Sequence, residues 1–405
     1  MTPRGWPRSI LLVAAYVFVF ALQAWMTRTY FTLPQPGGND FYPRWAGGCL
    51  WLRQEADPYA ASTTRAIQEG IYRRAALPEE DQAAYAYPIY AVVFTWPLCL
   101  TEDFTVARAI WMTALTHMLV GGALLARTLS GWRPSWRLWP WVLAWTILVY
   151  PNARAIVLGQ MSIVVFLLVL GALAALRLGR DGLAGLLLAL STVKPQVVLL
   201  IVPWLLLWSA FQRRWAVVLG FAVSLTALIG LPMLAHPGWP SEFIDQLGAY
   251  TSYTKLGSVT WIITSYYLGL PSIVEWAITF GLLGWLAWEW YRSRHFAFEP
   301  MLWTASLTLV ITHFVAPRTA TTHFGLLILP LFMMFALHSR THPHRAALVA
   351  SLVLAILLVG TWWLFLSTVQ GRQESAVTYL PIPLALAGCL PWFRRPWLKG
   401  AEGSE

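Results

Sequence analysis

The stretch Gly37-Gly38-Asn39-Asp40-Phe41-Tyr42-Pro43-Arg44-Trp45-Ala46, continued by Gly47-Gly48-Cys49-Leu50-Trp51-Leu52-Arg53 and Ala56-Asp57-Pro58-Tyr59, follows closely on an apolar run over residues 9–26. That run is long enough to cross a bilayer, too long for the apolar region of a secretory signal, and is followed by no small-residue cleavage site. Arg4 and Arg8 precede it, and positive charge marks the cytoplasmic end of a span. The aromatic, glycine-rich and charged stretch is therefore expected outside, as a catalytic loop on the outer membrane face.

Composition agrees with a membrane protein. Hydrophobic residues make up 58% of the 405, charged ones only 11%, and mean hydropathy is +0.58; a soluble surface could not be covered with so few polar groups. Many of the 25 tryptophans sit at ends of apolar runs, such as Trp132, Trp136, Trp139, Trp239, Trp392 and Trp397, where indole rings favour the headgroup level. The net charge of +10 comes without a basic stripe or nucleic-acid motif, so it reads as topogenic charge and no nucleic-acid partner is expected. Cys49, Cys99 and Cys389 have no metal-ligand spacing, and neither a disulfide framework nor cysteine chemistry is expected.

Outward from the first loop, the pattern predicts an all-α polytopic membrane protein with roughly twelve spans. The first extracytoplasmic loop covers 27–104 and contains interfacial helices; residues 85–100, with Pro88 and Pro97, either span or lie along the outer interface, the interfacial placement leaving Arg127, Arg133 and Arg137 inside. A second outer loop covers 236–271. A break is expected at Lys194-Pro195. Residues 1–399 read as one membrane domain, 400–405 as a disordered tail, and both termini as cytoplasmic. Neither a short repeat nor an inverted transporter repeat is visible.

Sorting polar residues by side puts Asp40, Arg44, Arg108, Arg154, Gln160, Lys194, Lys255, Arg318 and His323 outside. Cations placed against the positive-inside preference need another reason, and an anionic lipid headgroup supplies one. Asp40 is open to two readings, the N-cap of a helix beginning near Phe41 or a catalytic carboxylate. Arg44 and Arg53 are expected to solvate a helix face, Arg108 and Arg154 to snorkel from helix ends or bind phosphate. Glu275 and Glu289 read as interfacial. No nucleophile elbow, phosphate-cradling glycine motif or DxD metal motif is present, so no metal or other cofactor is expected.

Taken in order, Asn39-Asp40-Phe41-Tyr42, Trp45-Ala46, Asp57-Pro58-Tyr59, Tyr87-Pro88, Trp96-Pro97-Leu98, Gly159-Gln160 and Asp181-Gly182-Leu183-Ala184-Gly185 through Lys194-Pro195 resemble glycosyltransferase family 87. The resemblance implies a membrane-embedded mannosyltransferase of the GT-C fold that uses a polyprenyl-phosphate sugar, with the aspartate after the first span, Asp40, as catalytic base. The family's Trp-Asp-His-His outer turn corresponds here to Ala316-Pro317-Arg318-Thr319-Ala320-Thr321-Thr322-His323, where only His323 matches. Ile89 stands where a second proline is usual, and Glu55-Ala56 where a glycine often precedes the Asp-Pro-Tyr element.

The chemistry can also be argued from the leaving group. A glycosidase needs an acid and a base because an alkoxide leaves poorly; a polyprenyl phosphate leaves readily, so one carboxylate suffices. Arg108, Lys194, Arg318 and His323 are then candidates to stabilise phosphate, Arg154 and Lys255 further candidates, and Gln160 is placed to orient the sugar. The expected partners are a polyprenyl-phosphate sugar, a glycolipid or glycan acceptor, and the bilayer. A transporter or flippase of a lipid-linked sugar is the alternative, but a coupled carrier places ionisable groups near mid-membrane, whereas these carboxylates fall in loops or near run ends. A non-catalytic scaffold would tolerate loss of Asp40.

Overall fold

The structure is a computed structural model that describes residues 8–35, 37, 40–78, 80–253, 257–371 and 373–402. Lys255 lies outside the described residues, as do Gly38 and Asn39. Among the described residues the secondary structure is helical, with one isolated bridge between Gln370 and Gln373.

Among the described residues, six helices are long and apolar enough to cross a membrane: Arg8–Thr32, Phe104–Ser130, Trp215–Met233, Thr321–Thr341, Pro343–Thr368 and Ala376–Lys399. A seventh is added if Tyr150–Val157 and Ser162–Arg177, bent by 114° at their break, count as one span. This is fewer than the roughly twelve expected from apolar runs. Several of those runs form helices too short to cross, namely Ile89–Leu100, Trp139–Leu148, Asp181–Ser191 and Ile201–Phe211. The Ile89–Leu100 stretch is itself broken into three short pieces. The last helix continues to Glu402, into the segment expected to be a disordered tail.

The chain packs as two compact units. The first comprises Met1–His117, Ile156–Gln160 and Gly238–Tyr253, the second Met118–Ala155, Met161–Pro237 and Thr254–Glu405.

In the first unit the loop after the opening span folds into the helices Tyr42–Gln54 and Ala61–Tyr72. Pro43 sits in the first turn of the former, where its missing N–H costs nothing, and Glu55 ends it in a left-handed conformation. The Asp-Pro-Tyr element is a turn: Asp57 Oδ1 accepts from Tyr59 N at 2.8 Å and the Asp57 carbonyl from Thr63 Oγ1 at 2.6 Å, which starts the second helix. Asp103 organises the entry to Phe104–Ser130, accepting from Thr105 N and Oγ1. The Thr105 hydroxyl, helped by Arg28 and the backbone N–H groups, holds this carboxyl down at about 2.

Cys49 and Cys99 form a disulfide in this unit, which corrects the expectation of inert thiols. Neighbouring cysteines in space are separated by 50 positions, so no local spacing announces the pair. Arg53 donates to the Cys99 and Thr101 carbonyls beside it, instead of only solvating a helix face. A cross-link closing a loop of this size is typically worth about 2–4 kcal/mol. Reduction, or Cys49→Ser, is expected to lower the thermal midpoint by roughly 5–10 °C, read by thermal unfolding in detergent with and without reductant.

The second unit is built around the helix Phe298–Val315, buried without interruption from Met301 to Phe314. A helix buried all round is the middle of a bundle. The Asp-Gly-Leu-Ala-Gly motif opens the helix Asp181–Ser191, whose glycines let it meet Trp215–Met233 backbone to backbone. A Cβ on Gly185 would stand 2.4 Å from the Val217 carbonyl oxygen, and one on Gly220 2.9 Å from that of Gly182; small residues permit such close crossings. Asp181 is paired with Arg214, whose Nε lies 3.1 Å from Oδ1. Gly185→Val is expected to lower the thermal midpoint by about 5 °C or more, measured by loss of the monodisperse peak after heating. Glu289, expected at the interface, is buried and paired with Arg394 at 3.0 Å and Arg292 at 3.6 Å.

Candidate active site

Asp40 does not cap a helix. The helix Tyr42–Gln54 has Phe41 at its N-cap position with no side-chain capping bond. The Asp40 carboxylate instead accepts from Gln160 Nε2 at 2.5 Å. The residue is partly exposed while Gln160 is buried, so the amide holds one carboxylate oxygen from the protein side.

The approach of these residues, far apart in sequence, is set by Gly159 and its neighbours. Its φ is +66°, and a Cβ there would come within 2.7 Å of Phe41 Cβ and 3.1 Å of Trp111 Cδ1. Glycine alone fits both the left-handed backbone and that contact. Its carbonyl accepts from Arg44 Nη1 at 2.6 Å and from Trp111 Nε1 at 2.9 Å. Phe41, fully buried, stacks on Trp111 and Phe104 with centroids 5.7 and 5.9 Å apart. The aromatic stack and the doubly held carbonyl thus fix Asp40 and Gln160 relative to each other.

Arg44 is buried, not solvating a helix face. Its guanidinium lies 4.7 Å from the Tyr87 ring centroid, a cation–π contact that offsets part of its desolvation. Burial pushes the Tyr87 phenol above its ordinary range; Arg44 opposes this and the Asp40 charge reinforces it, so the hydroxyl remains protonated beside the carboxylate. The Tyr87 carbonyl accepts from the Tyr59 hydroxyl at 2.7 Å, tying the Asp-Pro-Tyr turn to the site. Asp81, held by Ala83 N at 2.9 Å, is within electrostatic range of Asp40.

Arg108 belongs to the same unit but turns to backbone: Nη1 donates to the Gln35 carbonyl at 2.8 Å and Nη2 to that of Val157 at 3.1 Å. It braces the segment leading to Asp40 against the segment leading to Gln160.

The other sequence candidates fall in the second unit. Lys194 and His323 are both buried and within electrostatic range of each other. Lys194 stands just before Pro195, where the helix Pro195–Val198 begins, as the expected break requires. His323 lies in the turn Thr321–Leu327, where Ala320 N–H donates to its Nδ1 at 3.3 Å. Arg318 sits on the connection before it with φ +63°. Arg154 faces Glu374 at 3.5 Å and donates to the Tyr150 oxygen at 3.0 Å. Sequence reasoning missed Glu374, Tyr150 and His313, the last a buried histidine whose Nδ1 lies 2.8 Å from the Leu309 carbonyl oxygen; no motif marks them.

The fold and this arrangement define an all-helical, polytopic membrane protein with a braced carboxylate on the loop after its first span. Its sequence matches the pattern of glycosyltransferase family 87 over residues 85–312, more than half of the chain, and the protein belongs to that family. It is a glycosyltransferase, with a sugar donor and an acceptor as its substrates. The match begins after Asp40, so the case for that residue stands on its own geometry. No curated protein and no solved structure matches the chain.

Proposed function

We propose that the protein transfers a hexose, mannose on the family resemblance, from a polyprenyl phosphate to a hydroxyl of an extracytoplasmic glycolipid or glycan, on a GT-C scaffold. The observation that carries the reading is the Asp40 carboxylate, partly exposed and held by Gln160 at 2.5 Å instead of capping a helix. Asp40 accepts the proton of the acceptor hydroxyl as that oxygen bonds to the anomeric carbon. The bond from that carbon to the phosphate oxygen breaks, its electron pair leaves with the polyprenyl phosphate, and the anomeric configuration inverts. Placement of the base supplies most of its effect.

Lys194 and His323 are proposed as ligands of the phosphate oxygens, with Arg318 and Lys255 as further cations for the same group. Arg108 braces the segments that carry Asp40 and Gln160, and Arg154 is a further candidate for the phosphate. The disulfide between Cys49 and Cys99 supports an outer location for the Asp40 loop, because such bonds persist on the oxidising side of a membrane. The termini are then cytoplasmic.

The test is an assay of membranes containing the protein with polyprenyl-phosphate mannose, polyprenyl-phosphate glucose and a nucleotide sugar as donors, products being identified by mass spectrometry. Transfer from a polyprenyl-phosphate sugar with inversion is expected, unaffected by a metal chelator. Transfer from the nucleotide sugar alone would sink the reading.

A further inference from the structure

Glu374 lies on the connection between the helices Pro343–Thr368 and Pro381–Glu402, beyond the end of the family match at 312. Its side chain is only 4% exposed. Oε1 accepts from the Tyr150 hydroxyl at 2.8 Å and from the Thr321 hydroxyl at 2.7 Å. Oε2 faces Arg154 Nε at 3.5 Å, and Arg154 Nη1 donates to the Tyr150 oxygen at 3.0 Å. Three side chains from two other segments therefore meet at the buried Glu374 carboxylate.

Net stability is a weak reason for such a network, since desolvating an ion pair offsets most of the attraction and apolar residues of similar volume hold segments together as well. A fully satisfied polar network does fix position and direction, which apolar packing does less sharply. Here the element fixed is the turn Thr321–Leu327. Thr321, its first residue, is held by Glu374; the Thr322 carbonyl accepts from Ser162 Oγ at 2.6 Å. His323 Nδ1 accepts from Ala320 N, so a neutral ring carries its proton on Nε2 and presents a donor suited to an anion. Lys194 lies within electrostatic range of that ring.

We infer that Glu374 is a positioning residue: by holding Thr321 and Arg154 together it sets the turn that presents His323 beside Lys194 to a phosphate group. The inference rests on the proposed donor-binding role of Lys194 and His323. Glu374 touches no substrate. It acts through Thr321, so removing either the carboxylate or the hydroxyl has the same consequence.

The experiment uses the full-length protein in nanodiscs, with two readouts: equilibrium binding of sugar-free polyprenyl phosphate, and initial rates as donor and acceptor are varied separately. Glu374→Gln and Thr321→Val are each expected to weaken polyprenyl-phosphate binding and to raise donor KM about tenfold, leaving acceptor KM unchanged. The double variant is expected to be no worse than either single one, because both remove one linkage, and Thr321→Ser to restore wild-type values. Unaltered binding and donor KM in the variants would overturn the assignment, as would a fall in kcat alone matching a smaller folded fraction. Should Glu374→Gln fail to fold, the comparison of Thr321→Val with Thr321→Ser decides the matter. Failure of the wild-type protein to bind polyprenyl phosphate would instead defeat the donor reading, taking the inference with it.

Discussion

Asp40→Asn is expected to reduce sugar transfer by about 10³-fold while donor binding stays near wild type. A positioned general base typically contributes about 10²–10⁴-fold, and asparagine keeps the size of the side chain while removing its ability to take a proton. Gln160 Nε2 can still donate to the asparagine oxygen, so the contact seen at 2.5 Å has a replacement and the loop keeps its shape. Asp40→Ala removes that contact too, and should lower activity as far with a further cost in thermal midpoint. The check is steady-state transfer with purified protein beside a separate donor-binding measurement. Turnover within about tenfold of wild type in the asparagine variant would remove Asp40 from the chemistry.

Gly159→Ala is expected to be the most damaging change at a position with no reactive group. The alanine meets two penalties together. A left-handed backbone costs a residue with a Cβ roughly 1–2 kcal/mol, and its methyl would stand 2.7 Å from Phe41 Cβ, a distance real contacts do not reach. Relief requires Phe41 or the Gly159 carbonyl to move, which disturbs the stack on Trp111 and the bonds from Arg44 and Trp111. Since a displacement of about 1 Å can cost about 10²-fold in rate, transfer should fall by that order even where the variant folds. Activity per folded molecule, counted by size-exclusion chromatography, separates this from simple instability. A full-activity alanine variant would show that the loop is not what aligns Asp40 with Gln160.

Much of the site could be read in the sequence because polarity is conspicuous in an apolar chain. Asp40 and Gln160 drew attention separately, one as a carboxylate after a span and the other in the Gly159-Gln160 piece of the family resemblance, and the structure joins them. Lys194 and His323 were selected as charges against the topological preference, and they lie within electrostatic range of each other. Arg44 was misread for a physical reason: an arginine in a short amphiphilic helix ordinarily faces water, and nothing local reveals a carbonyl acceptor 115 positions away. Glu374 was missed for the same reason, since its partners Tyr150 and Thr321 are remote in sequence. The span count erred because hydropathy measures suitability for lipid. Ile201–Phe211 is apolar yet too short to cross, whereas Phe298–Val315, wrapped by protein, can carry Thr304, Ser306, Thr308 and Thr312 in its buried interior.

The bond between Cys49 and Cys99 also bears on how the protein is made. Cys49 emerges from the ribosome well before Cys99, with the helices Tyr42–Gln54 and Ala61–Tyr72 completed or begun in between. On the proposed orientation both thiols must first be carried across the bilayer and then meet an oxidant. A newly made chain therefore passes through an interval with its early spans inserted and the Asp40 loop still untied. On that orientation the final tying of the loop waits for an oxidant in the outer compartment, and a cell short of such an oxidant is expected to accumulate inserted protein that lacks the cross-link.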